Sequence, residues 1–148
     1  MKTVFSLSLA IVSLAVAGIA LAAPMMGGWG MNSPYGRIYD TRTVETVSGE
    51  VLRIDRIRPM RGMSYGVHIA LKTDKGEIPV HLGPAWYINR QSPAIKPGDR
   101  LEIKGSKVMF RGKPVIIAAE VSKGDEVLKL RDDNGYPAWA GWRRGRQY

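Results

Sequence analysis

Between Gly66 and Gly83 the chain alternates apolar and other side chains twice over. Val67, Ile69 and Leu71 form one run, Ile78, Val80 and Leu82 the other, and Asp74-Lys75-Gly76-Glu77 separates them. A period of two marks strands with one buried face, and two such runs around a short Gly-containing break make a β-hairpin. With Lys75-Gly76 as the two-residue turn, Leu71 lies opposite Val80 and Ile69 opposite Leu82, so both apolar sets face one core. Pro79 has no N–H to give and belongs at an edge or a locally unpaired position. A lone hairpin is marginal in water, so flanking segments must extend the sheet.

They do so in a definite order. Residues 43–58 are rich in β-branched side chains and interrupted at Gly49, where a long strand can bend or bulge. A loop over 59–63 follows, then the hairpin. After Gly83 the period changes: Pro84 suits a first helical position, and 85–91 make about two turns before Ser92-Pro93 stops them. The turn at 96–99 leads into strands over 100–110 and 114–121, a second hairpin around Arg111-Gly112-Lys113, and a short extended piece at 127–131. Three strands, a short helix and two strands is the element order of the OB-fold. The expected class is therefore all-β, a small five-stranded OB-fold-like Greek-key barrel over residues 43–131 with one short helix between strands three and four. Its expected core is Val51, Val67, Ile69, Leu71, Ile78, Val80, Leu82, Leu101, Ile103, Ile117 and Val121.

The ends read differently. Lys2 precedes an uncharged apolar run, 4–21, that ends in Ala20-Leu21-Ala22-Ala23. This is a secretory signal pattern, so 1–22 is read as a signal peptide cut after Ala22, with the mature protein periplasmic or secreted. Kept in place, the same run approaches the roughly 20 residues of a bilayer anchor. Residues 23–42, with Met25, Met26, Met31 and many glycines, read as a flexible leader. Residues 132–148 read as a Trp/Arg-rich tail after a turn at Asp132-Asp133-Asn134-Gly135.

Composition narrows the chemistry. The chain has 148 residues and no cysteine, which excludes disulfides, thiolate nucleophiles, Cys-ligated zinc, iron–sulfur clusters and covalent haem on paired cysteines. It offers no nucleophile–base pair, phosphate-cradling loop or zinc motif, and Asp132 and Asp133 suit turn-making better than acid–base work, so no catalysis is expected. The net charge of +9, about +8 once Lys2 is removed, attracts acidic proteins, anionic lipid, acidic glycans or nucleic acid alike.

Several constellations stand out. His68 and His81, the only histidines, fall on the face opposite the apolar stripe. In the register above His81 faces Ala70 and His68 lies diagonally beside it, about 7–8 Å away. With Met60, Met63 or Glu77 they form a candidate metal site, and the thioethers of Met25, Met26, Met31, Met60 and Met63, all in expected loops, suit copper(I); otherwise the histidines are two polar strand residues, and no cofactor is expected. Arg53, Arg56, Arg58 and Arg61, with Tyr65 and Trp86 as stacking surfaces, resemble the basic, aromatic groove that binds single-stranded nucleic acid. Asp55 interrupts that patch, and Arg53 and Asp55 share one strand face while Arg56 lies on the other. In the tail, Tyr136, Trp139, Trp142, Arg143, Arg144 and Arg146 combine the residue types enriched at binding hot spots. The candidate partner-binding set is thus Trp86, Tyr136, Trp139, Trp142, Arg143 and Arg144; alternatively Trp139 and Trp142 clasp the open end of the barrel.

The stretches GVHIALKTDKGEIPVHLGPAWYI, PGDRLEIKGSKV and GKPVIIAAEVSKGDEVLKLRDDNGYPAWAGWRR resemble those of small exported bacterial OB-fold-like proteins, often labelled DNA-binding, and the related domain of the MamS and MamX magnetosome proteins. The resemblance covers residues 43–144. MamX-type proteins carry haem through Cys-x-x-Cys-His motifs, which this cysteine-free chain lacks, so a haem role does not carry over. What it implies is an envelope binding or accessory module near metal or electron-transfer systems; with the basic charge, the expectation becomes a module that docks an acidic partner through the barrel groove and the Trp/Arg tail. Soft-metal handling and single-stranded nucleic-acid binding are the alternatives.

Overall fold

The computed structural model describes residues 28–140. Its strands are β1 (Val44–Ile57), β2 (Gly66–Thr73), β3 (Gly76–Pro84), β4 (Arg100–Phe110), β5 (Lys113–Lys123) and β6 (Glu126–Lys129), with helix α1 (Ala85–Ile88) between β3 and β4. The sheet order is β3-β2-β1-β4-β5-β6. β1 serves two partners: Glu50–Ile57 runs antiparallel to β2, while Val44–Glu50 runs antiparallel to β4. The ring closes where β3 meets β5 in parallel, Val80 opposite Ile116 and His81 opposite Ile117. A five-stranded ring with that closure and a helix after β3 is the OB barrel expected from the element order.

The sixth strand overlaps the short extended piece expected at 127–131, which is not among the five expected barrel strands. Gly124-Asp125 makes a two-residue turn, with Gly124 at φ +58°, and returns the chain along β5 so that Leu128 faces Val121. The hairpin register also differs, by two residues. Thr73 pairs with Gly76, so Asp74-Lys75 is the loop, Ile69 lies opposite Val80 and Leu71 opposite Ile78. The reason is local: the Thr73 hydroxyl donates to the Gly76 carbonyl at 2.8 Å and accepts from the Lys75 N–H at 3.2 Å, closing the turn one residue early. A shift of two keeps every side chain on its face, so the core set survives it. The β1–β2 irregularity sits at Leu52, between Val51 and Arg53, rather than at Gly49. Helix α1 is shorter than two turns, and its end tightens, Arg90 N–H bonding to Tyr87 C=O and Gln91 N–H to Ile88 C=O.

Of the expected core all but Ile78 is buried. The structure adds Trp29, Tyr35, Tyr87, Ile116, Leu128, Leu130 and Trp139 to it. The first two correct the reading of a flexible leader, since residues 28–43 pack against the outside of the barrel. Trp29 and Trp139 meet edge to face at 6.2 Å, and the Trp139 indole N–H donates to the Trp29 carbonyl at 2.9 Å. Both indoles lie directly on strand backbone. A Cβ on Gly66 would stand 2.5 Å from the Trp29 ring and one on Gly83 2.7 Å from that of Trp139, so glycine is required there by close approach.

Candidate functional site

OB barrels take ligands on the outer face of β2 and β3, between the β1–β2 and β4–β5 connections. Here that face carries the two histidines. The corrected register places them directly opposite each other, and their rings stack 3.7 Å apart and 8° from parallel. The chain's own residues cover them. The Tyr35 hydroxyl shares a 2.8 Å hydrogen bond with His81 Nδ1, and Phe110 stands edge-on to His81 at 5.2 Å. Burial pushes the His68 pKa down to about 4, with Arg111 adding to the effect and Asp55 opposing it. The His81 pKa falls to about 3 through burial, then His68 and Arg111. Both imidazoles are neutral at pH 7, and His68 Nε2 is buried without a hydrogen-bond partner.

Neutral imidazoles are the form that binds metals. A ring nitrogen's lone pair lies in the ring plane, however, so an ion held by one of two stacked rings stands out of the plane of the other. The stacked pair does not converge on one ion. Met63 is buried beside Gly28, and Met60 packs partly buried on the core, so both thioethers have packing roles. Among the described residues no three His, Cys, Asp or Glu side chains cluster as a metal site. Met25 and Met26 lie outside the described residues.

The tail residues divide. Trp139 is buried and clasps the barrel against Trp29 and Tyr87, so the structure places it in the core rather than on a docking surface. Tyr136 is exposed, at the end of a turn in which Asp132 Oδ1 accepts from the N–H groups of Asn134 and Tyr136. Trp142, Arg143, Arg144 and Arg146 lie outside the described residues. Arg131 was missed as a structural element: it is buried, with its guanidinium 5.1 Å from the centroids of both Tyr39 and Trp139 and Nη1 donating to the Gly135 carbonyl. Burial lowers its pKa, and no carboxylate pairs with it among the described residues.

Four exposed arginines, Arg53, Arg56, Arg58 and Arg61, lie along the end of β1 and in the loop after it. The split seen in the sequence is real but productive. Arg53 is engaged by Asp55 at 3.1 Å and Glu77 at 3.0 Å. Arg56 and Arg58, two apart, instead converge over the ring of Tyr65, at 5.2 and 4.7 Å from its centroid, and neither makes an ion pair among the described residues. Tyr65 is 44% exposed and held from beneath, its carbonyl accepting from the N–H of Ala85 at the start of α1. Arg61 is exposed in the same loop, and Arg111 ties the β4–β5 turn to that loop by donating to the Pro59 carbonyl. Trp86, on α1, is half-buried and packs on the core. Two guanidiniums laid on an aromatic ring lose little freedom when they engage carboxylates in bidentate pairs.

No curated protein matches the chain. Among solved structures, the crystal structure of the S. pombe Stn1–Ten1 complex is similar at 16% identity and a TM-score of 0.41, over 68% of this chain and 66% of that chain. A family model described as the MamS/MamX magnetosome protein family matches residues 43–128, from the start of β1 into β6 and thus the entire closed barrel. That is more than half of the chain, which belongs to the MamS/MamX magnetosome protein family.

Proposed function

We propose that this chain is an exported accessory protein of the cell envelope that docks an acidic partner protein at Arg56, Arg58 and Tyr65 and performs no chemistry itself. The observation that carries this reading is the pair of guanidiniums over an exposed tyrosine with no carboxylate paired to either among the described residues. The net charge of +9 adds long-range attraction for an acidic surface. A nucleic-acid strand would need a continuous basic groove with open aromatic platforms. The β2–β3 face instead carries neutral histidines under Tyr35 and Phe110, which favours a local protein contact over a strand laid across the barrel.

The test is a pull-down from envelope extract with residues 23–148 as bait, beside the doubly charge-reversed Arg56→Glu, Arg58→Glu protein. One acidic protein retained by the first, lost from the second and released by moderate salt supports the reading. Identical retention by both baits, or retention of oligonucleotides alone, overturns it.

A further inference from the structure

Beside the arginines the barrel end is open and apolar. Ile54, Val67, Leu82, Ile88, Ile95 and Leu128 line a concavity of about 240 Å³ between the barrel and α1, with Asn89 and Gln91 among its other residues. Ile54 is 37% exposed, although its cross-strand partner Ile69 is buried. On β1, Ile54 and Arg56 are two residues apart in an unbroken register, so they share a strand face, and Arg56 pairs with Val67 of the cavity wall. Arg56 and Arg58 therefore begin where the apolar wall ends.

We infer that this concavity is an anchor pocket for one large apolar side chain, carried by an acidic segment of the partner whose carboxylates engage Arg56 and Arg58. The inference rests on the docking reading above and specifies the partner's chemistry. Size and charge both support this occupant. A cavity of about 150 Å³ lined by aliphatic and aromatic side chains admits benzene, so this one has room for a leucine, methionine or phenylalanine side chain. It is small for a drug-sized ligand, whose pockets begin at roughly 300 Å³. Interfaces commonly seat such an anchor in an apolar pocket rimmed by polar groups. An acidic segment without the apolar residue would satisfy the arginines and leave the pocket in water; an apolar segment without acid would do the reverse.

Two fluorescein-labelled peptides serve as probes, Gly-Glu-Asp-Glu-Leu-Glu-Asp-Glu-Gly and the same peptide with Ala for Leu, titrated against residues 23–148 at low salt. The site is read from methyl NMR shifts at Ile54, Ile88 and Leu128. The pocket is blocked with Ala94→Phe, at an exposed position on its rim, so that the core is untouched. The expected result is about tenfold tighter binding of the leucine peptide, shifts at all three methyl groups, and loss of that preference in Ala94→Phe. Equal binding of both peptides, abolished by Arg56→Glu with Arg58→Glu, overturns the anchor and leaves the docking reading standing. Failure of both peptides to bind the unaltered protein overturns the anchor and the docking reading together.

Discussion

His68 and His81 stack face to face at 3.7 Å on paired strands, beneath a tyrosine supplied from outside the barrel. The arrangement works only while both rings are neutral, because a proton on either is buried beside its neighbour and near Arg111.

Stability should therefore depend on pH in a definite direction. Both folded pKa values, about 4 and about 3, lie below the ordinary histidine value of 6.5. Between pH 6.5 and about 4 the unfolded chain takes up protons that the folded chain refuses, so stability is complete above 6.5 and declines as pH falls. Each histidine contributes up to about 1.4 kcal/mol per pH unit in that window. Urea unfolding at pH 7 and pH 5 measures the difference, which should shrink in His68→Phe; a slope unchanged by that substitution would assign it to other groups.

The glycine seats under the two indoles give a second expectation. Gly66→Ala pushes a methyl group into Trp29 and should cost about 1–3 kcal/mol. Trp29→Ala removes the buried ring itself and should cost about 3–5 kcal/mol. Denaturant midpoints of the two variants check both values. A Trp29→Ala protein as stable as the parent would mean that residues 28–43 do not hold the barrel in solution.

Arg131 should resist even conservative replacement. A lysine keeps the charge but not the flat guanidinium that fits between Tyr39 and Trp139, so Arg131→Lys is expected to lower stability by about 1–2 kcal/mol. Its thermal unfolding beside that of Lys129→Arg, an exposed neighbour, isolates the effect.

Much of the barrel was legible because alternation survives without context. The two halves of the hairpin, the strand at 100–110 and the helix after Pro84 each declare themselves within ten residues or so. What was illegible depended on distant partners. Nothing periodic in Gly28-Trp29-Gly30-Met31 tells that Trp29 will lie on Gly66, and only the folded sheet puts Gly83 under Trp139. The turn hydroxyl of Thr73 and the Gly124-Asp125 turn are local signals of the hairpin register and of β6. At the candidate site the spacing of Arg56 and Arg58 already put them on one face, but Tyr65 arrives from a loop, where strand parity has no authority.

Charge reversal at Arg56 and Arg58 should leave the fold alone. Both side chains are exposed and free of ion pairs among the described residues, so the double Glu variant loses only its two contacts with the Tyr65 ring and is expected to stay folded, within about 1–2 kcal/mol of the parent by urea unfolding, while its partner binding falls steeply. A variant that unfolds would make the pair structural.

The docking claim is met most directly by a photo-cross-linking amino acid placed at Tyr65 in living cells, beside the same probe at exposed Tyr136 and at Met109, which is 64% exposed. The account predicts one acidic envelope protein captured from position 65 and from neither control; capture from position 136 or 109, with none from 65, would contradict it.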